Sequence, residues 1–261
     1  MKILLIPFIA SILLCSAPVQ AKNGLMEEDH FVVSNGQGVS SPSFWNGLKG
    51  QNPAGMVFNQ ETKLQIGAGS YSGGSLGSAA FLMGNGMLGA GAEFEELIYT
   101  GGSKKGKINW GLAGRLEMIM TTLGFSSHTA LQGGGTSYDA GLFIEPSRRF
   151  RLGLTLPNIN ASISTVATGV TYQLDESVEM IVDADYNKNA SCGVLKPGLS
   201  FHTTKLQATA AYGLRFKGNV DQLLKQGFTA GFGFQLAQSL LISYEYHGVI
   251  DHRVGLTLRF N

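Results

Sequence analysis

Gly227-Phe228-Thr229-Ala230-Gly231-Phe232-Gly233-Phe234-Gln235-Leu236 alternates without a break. Phe228, Ala230, Phe232, Phe234 and Leu236 fall on one side, and the glycines, Thr229 and Gln235 on the other. A period of two is that of a strand, whose successive side chains point to opposite sheet faces. The same rhythm runs through Val254, Leu256, Leu258 and Phe260, through Leu206, Ala208, Ala210, Tyr212 and Leu214, and through Phe150, Leu152, Leu154 and Leu156. It begins near Thr62, where Leu64, Ile66 and Ala68 oppose Lys63, Gln65 and Gly67.

The apolar face is continuous Leu, Phe, Val, Ile, Tyr and Ala. The other face carries Gly, Thr and Gln, with the charges Glu93, Arg115, Asp139, Arg151, Glu179, Asp183, Asp185, Arg215, Glu245 and Arg259. A soluble sandwich has a similar alternation, its apolar face buried on a second sheet. Strand-like runs of about 10 residues, longer than the ordinary ~5–6, favour a tilted membrane crossing. Aromatics near strand ends (Tyr71, Tyr138, Tyr172, Tyr186, Tyr244, Tyr246, Phe260) suit interfacial girdles. The expected fold is therefore all-β, a transmembrane antiparallel barrel whose charged face lines a polar lumen.

Fourteen strand-like stretches lie between residues 62 and 261. The boundary between 107–117 and 120–128 has no Gly or Pro, yet the apolar phase changes from even (Ile108, Trp110, Leu112) to odd (Leu123, Phe125). A one-residue slip flips the face, so a turn or bulge is required near Met118 to Thr121. Without it the count falls to twelve. Connections alternate between tight turns, such as Gly84-Asn85-Gly86, and longer ones, such as 101–106, 127–136 and 216–226. Short inner turns with longer outer loops are the outer-membrane pattern.

Bulk composition agrees. Gly is 36 of 261 residues and charged residues are only 14%, against ~25% charged in soluble domains. The formal net charge is +1, which gives no basic excess for nucleic acid. Lys2, the apolar run from Ile3 to Leu14 and Val19-Gln20-Ala21 read as a signal peptide, residues 1–21. Cys15 follows Leu14, where a lipidation signal wants a small residue. Cys192 is then the one cysteine of the expected mature chain. Residues 22–60 have no steady period and precede the barrel, 61–261. Their end, Gly50-Gln51-Asn52-Pro53-Ala54-Gly55, is turn chemistry: Pro53 fixes φ and pushes Asn52 out of the helical region. With an irregular segment before it and a barrel after it, this reads as the junction of a plug with a barrel.

Other motifs favour plain readings. Gly84-Asn85-Gly86-Met87-Leu88-Gly89 matches a dinucleotide loop by letter, but strand alternation follows it, so it reads as a hairpin turn. The five histidines (His30, His128, His202, His247, His252) lack metal-ligand spacing, and no cofactor is expected. Ser243 and His247 are the pair that a hydrolase reading would use; a wetted surface is the simpler account. The acidic face Glu179, Asp183, Asp185 reads as a wetted strand balanced by arginines. Pro197, after Lys196, sits where a closed barrel needs a ladder hydrogen bond, so the pair marks a candidate kink in the wall or a late strand start.

Asn52-Pro53-Ala54 before a first strand resembles the FadL/TodX family of outer-membrane long-chain fatty acid and hydrocarbon transport proteins. The strand-turn-strand sequence from Ser137-Tyr138-Asp139 through Glu145-Pro146-Ser147 to Arg151-Leu152-Gly153 is similar as well. The resemblance implies a fourteen-strand barrel closed by an N-terminal hatch, with Asn52, Pro53, Ala54 and Gly55 at the constriction. It also implies passive passage of hydrophobic small molecules, with sideways exit through a kinked strand. The chain is short for that family, and only 216–226, with Val220, Leu223 and Leu224, offers an apolar outer patch. The expected partners are the outer-membrane bilayer and a hydrophobic ligand, with no nucleic acid and no catalysis. A structural or secretion-associated barrel with a sealed lumen is the alternative.

Overall fold

The computed structural model describes residues 52–58, 62–71, 74–160, 165–188, 191–217, 227–247 and 251–260. The expected signal peptide, the plug before Asn52 and the 218–226 patch lie outside the described residues. A 3-10 helix, Pro53–Phe58, precedes fourteen described strands. They are β1 (Thr62–Tyr71), β2 (Gly74–Gly84), β3 (Leu88–Tyr99), β4 (Lys104–Leu116), β5 (Thr121–Ala130), β6 (Thr136–Ser147) and β7 (Phe150–Leu156). They continue as β8 (Thr165–Gln173), β9 (Val178–Asn187), β10 (Cys192–His202), β11 (Leu206–Lys217), β12 (Gly227–Ala237), β13 (Leu240–His247) and β14 (Asp251–Phe260).

Each strand pairs antiparallel with its sequence neighbours, and β1 closes on β14 from Thr62↔Phe260 to Ser70↔His252. Closure leaves no sheet edge. A strand of 11 residues, such as β2, tilted as barrel strands are, rises roughly 28 Å. That matches the apolar height of a bilayer.

The burial is inverted relative to a soluble protein. Ile66, Phe94, Leu112, Phe232 and Leu256 are exposed, whereas Gln65, Glu93, Asn109, Asp183 and Thr257 are buried. The alternation therefore places the apolar set outward and the polar set inward. Continuous exposed apolar surface on this scale is stable against lipid rather than water. This excludes the sandwich, whose apolar face would be the buried one.

The phase change resolves as a short 3-10 turn, Glu117–Ile119, followed by Met120 at φ 49°. It restores the outward direction for Leu123 after Leu112, so fourteen strands stand and not twelve. Two connections are shorter than the sequence suggests. β4 begins at Lys104 and β5 extends to Ala130, leaving 100–103 and 131–135 as loops. Cross-strand pairing extends the ladders past the last clear alternation: Ile98 pairs with Lys104 and Thr129 with Thr136.

Candidate functional site: a segment held inside the barrel

The described part of the N-terminal segment lies inside the barrel against β2 to β6. Its local shape follows from three residues. Asn52 Oδ1 accepts a hydrogen bond from the Ala54 nitrogen at 3.1 Å, as an N-cap side chain does. Pro53 occupies the first helical position, where its missing N–H costs nothing. Gly55 N then donates to Asn52 O at 2.9 Å and closes the turn.

The wall is built to receive it. Gly89, Ala113, Gly124 and Gly141 are consecutive cross-strand partners on β3, β4, β5 and β6. They form one inward row of the smallest side chains. A Cβ added at Gly124 would stand 2.2 Å from Ala54 N, and one at Gly141 would stand 2.0 Å from Asn52 Oδ1. The segment therefore rests on strand backbone directly. Asn52 Nδ2 donates to the carbonyls of Leu142 at 3.0 Å and Leu154 at 3.2 Å. Ala54 and Val57 are fully buried, and Met56 and Val57 cluster with Leu82 of β2 and Ala113 of β4. Phe58 packs edge-on against Phe143, centroids 5.5 Å apart, with the Arg151 guanidinium 4.9 Å from its ring centre. A cation over an aromatic face is attracted by the ring quadrupole.

Polar groups lie on both sides of this row along the barrel axis. Toward the short-turn rim, Glu145 Oε2 pairs with Arg115 Nη2 at 2.9 Å, and its Oε1 accepts from Arg151 Nε at 3.3 Å. A recess of about 340 Å³ opens at that rim, lined by Asn85, Gly86, Met87, Arg115, Glu117 and Met120. Toward the loop rim runs a buried chain. Asn109 Nδ2 donates to Glu93 Oε2 at 3.2 Å, and Asn109 Oδ1 faces His128 Nδ1 at 3.0 Å. His128 Nε2 lies 2.9 Å from Asp139 Oδ2, and Asp139 Oδ1 accepts from Asn158 N at 2.8 Å. Both ring nitrogens thus face oxygen atoms of neighbouring strands. Ser126 Oγ also lies 3.2 Å from His128 Nε2. The Asp139 carboxylate is the nearer of the two neighbours of that nitrogen. The arrangement ties β3, β4, β5 and β6 together.

The ten charges read from sequence all fall on inward-facing strand positions. Glu93 and Asp139 join one network, and Arg115 and Arg151 join another through Glu145. Asp183 is fully buried, Glu245 is buried, and Glu179, Arg215 and Arg259 are half-buried. Asp185 pairs with Lys196. Pro197 faces outward on β10. The pairing of β10 with β11 runs Gly193↔Lys217, Val194↔Arg215 and Leu195↔Leu214, then resumes at Gly198↔Ala211, skipping Lys196 and Pro197. Proline lacks the N–H the ladder needs. Ser243 is buried and inward-facing, while the side chain of His247 lies outside the described residues. Among the described residues no three His, Cys, Asp or Glu gather as metal ligands.

Sequence reasoning missed the row of small residues, because each glycine reads separately as strand or turn. Only registration across four strands aligns them. It also missed His128, whose partners come from β4 and β6.

The fold and its interior define a class: a closed fourteen-strand barrel of outer-membrane type, apolar outside and polar within, with a segment seated in the lumen. No family model and no curated protein matches the sequence. Solved structures do match in fold. The toluene transporter TodX of Pseudomonas putida is 10% identical at TM-score 0.56, over 92% of this chain and 97% of that one. A Pseudomonas aeruginosa FadL homologue is 11% identical at TM-score 0.53, over 89% and 96%. The Acinetobacter baumannii outer membrane protein Omp33 is 11% identical at TM-score 0.53, over 77% and 100%. At such identities the likeness carries the architecture alone.

Proposed function

We propose that this protein is an outer-membrane channel for passive uptake of small hydrophobic, fatty acid-like molecules. The observation that carries the reading is an apolar segment held within a polar lumen. Pro53, Ala54, Met56 and Val57 are buried there beside Leu82 and Phe143. Withdrawal of the segment would uncover inward-facing Leu82 and Phe143, the kind of apolar surface that a path for hydrophobic solutes needs and a sealed wall does not. In this reading residues 1–21 are a cleaved signal peptide and residues 22–55 close the lumen, with Asn52, Pro53, Ala54 and Gly55 at the constriction. The interrupted pairing at Lys196 and Pro197 is the candidate sideways exit. Fold likeness to a toluene transporter makes monoaromatic and acyl probes the first to try.

The test is uptake of such probes by protein-containing liposomes, with conductance in planar bilayers alongside. Deleting residues 22–55 is expected to raise permeability above that of the full chain. If both proteins stay at the background of empty liposomes, the channel reading fails. The mass of the protein recovered from outer-membrane fractions checks the cleavage after Ala21.

A second reading is a structural or secretion-associated barrel with a sealed lumen. The inward ion pairs Arg115–Glu145–Arg151 and Lys196–Asp185 favour it. It expects background permeability in both proteins, with barrel stability lowered when those pairs are broken.

A further inference from the structure

The short-turn rim is uneven. Most of its turns are polar: Arg148 and Arg149 between β6 and β7, Asp175 and Glu176 between β8 and β9, Thr203 to Lys205 between β10 and β11, Gln238 and Ser239 between β12 and β13. The β4–β5 turn is apolar instead, with Met118 100% exposed and Ile119 62% exposed. Leu88, at the start of neighbouring β3, is 64% exposed. A soluble rim would not leave a patch of this kind bare.

The patch continues the outward apolar band. On β4 the band runs from Ile108 through Trp110, Leu112 and Leu116 into the turn, and Leu123 takes it up on β5. At the opposite end of the same strands it stops early, where Glu96 and Lys104 pair at 3.6 Å on the outer surface. On β12 the band instead ends at Leu236, ahead of its polar turn. The apolar belt is therefore displaced toward the short-turn rim on one side of the barrel. Glu117, the one charge of the turn, lines the recess with Asn85 and Arg115. The turn is amphipathic, as elements at a lipid interface are.

We propose that the β4–β5 turn is immersed in the membrane, with Met118 and Ile119 among the acyl chains of the leaflet at the short-turn rim. The barrel consequently sits deeper on its β3–β5 side. The occupant of the patch is lipid, because on the β4 side it continues directly from Leu116 of the lipid-facing band. This rests on the bilayer reading given above.

The test uses single cysteines in a chain whose Cys15 and Cys192 are replaced, each carrying an environment-sensitive fluorophore, in phosphatidylcholine vesicles. The sites are Met118→Cys, Glu176→Cys on a polar turn of the same rim, and Leu112→Cys in mid-band. Lipid-borne nitroxides are expected to quench position 118 about threefold or more above position 176, with iodide showing the reverse order. If 112 is quenched by lipid and 118 follows 176, the immersion is refuted while the barrel stands. If 118 escapes both quenchers, protein covers it, and the immersion is again refuted. If 112 also fails to meet lipid, the bilayer reading falls and takes this inference with it.

Discussion

Replacing Gly124 by alanine tests whether the luminal segment is fitted to the wall. The new Cβ would stand 2.2 Å from Ala54 N and 2.3 Å from the Pro53 carbonyl carbon, where ordinary contact begins at 3.4 Å. Both neighbours are backbone atoms, so no rotamer change relieves the overlap. The strand is held on both sides, and the segment has to withdraw by about 3.4 − 2.2 = 1.2 Å. Such a shift carries the Asn52 bonds to Leu142 and Leu154, now 3.0 and 3.2 Å, out of hydrogen-bonding range. Two neutral bonds at ~1 kcal/mol each, with overpacking of ~1–3 kcal/mol, suggest a loss of about 3–5 kcal/mol. That lowers the ratio of seated to unseated segment roughly 100- to 4,000-fold. Val57 is fully buried, so a Val57→Cys chain lacking Cys15 and Cys192 reports the unseated state by maleimide labelling. Gly124→Ala is expected to raise the labelling rate by roughly 100-fold or more. Gly77→Ala, whose Cβ would meet nothing within 4 Å, is expected to leave it unchanged. Equal rates in all three chains, or an equal rise in both variants, would refute the fit.

In the same labelling assay Asn52→Ala loses two donated bonds, about 2 kcal/mol. Asn52→Asp exceeds it, because a carboxylate would face the carbonyls of Leu142 and Leu154; the reverse order would count against the hydrogen-bond assignment. Asp139→Asn removes the carboxylate from His128 while keeping the size of the side chain. It is expected to cost ~1–3 kcal/mol, read as a lowered urea midpoint in lipid vesicles; an unchanged midpoint would show the buried chain to be dispensable. Glu145→Gln leaves Arg115 and Arg151 without their shared carboxylate and removes one negative charge at the short-turn mouth. Reversal potentials in planar bilayers are expected to move toward anion preference, and no movement would place that mouth off the ion path.

The barrel was legible because its signal is repeated. Each strand states which face is apolar, as Phe228 to Leu236 does, and a period of two needs no tertiary knowledge to interpret. The β4–β5 boundary was harder, since Glu117 to Met120 carries no turn residue, and only the change of phase between Leu112 and Leu123 betrayed it. The interior was legible in kind but not in pairing. Asp139 reads as an inward charge from its own strand, yet its partner His128 is set by the β5–β6 register and Asn109 by the β4–β5 register. The small-residue row is the same problem in a sharper form. Gly124 and Gly141 look like ordinary strand glycines until they are found side by side beneath Ala54 and Asn52.

The placement of the segment also bears on which part of the wall can open. It braces β2 to β7, where Asn52 ties to Leu142 on β6 and Leu154 on β7 and where the buried chain from Glu93 to Asp139 crosses four strands. The interruption at Lys196 and Pro197 lies between β10 and β11, beyond that span. Register shifts, at Gly193/Val194 near the end of β10 and near Ser147 and Ala237 beside turns, lie toward strand ends, whereas this gap in pairing falls in mid-strand with the register unchanged across it. A missing ladder bond is worth ~1 kcal/mol, and proline also removes the donor that could restore it. Local opening is therefore expected to concentrate there: amides of β11 from Ala211 to Leu214 should exchange faster than those of β5 from Thr122 to Phe125. Pro197→Ala returns an N–H to the strand and is expected to slow β11 exchange and, in the channel reading, to reduce uptake of hydrophobic probes. Uniform exchange around the barrel, or β11 exchange indifferent to Pro197→Ala, would mean that the interruption is mechanically silent and that any exit lies elsewhere.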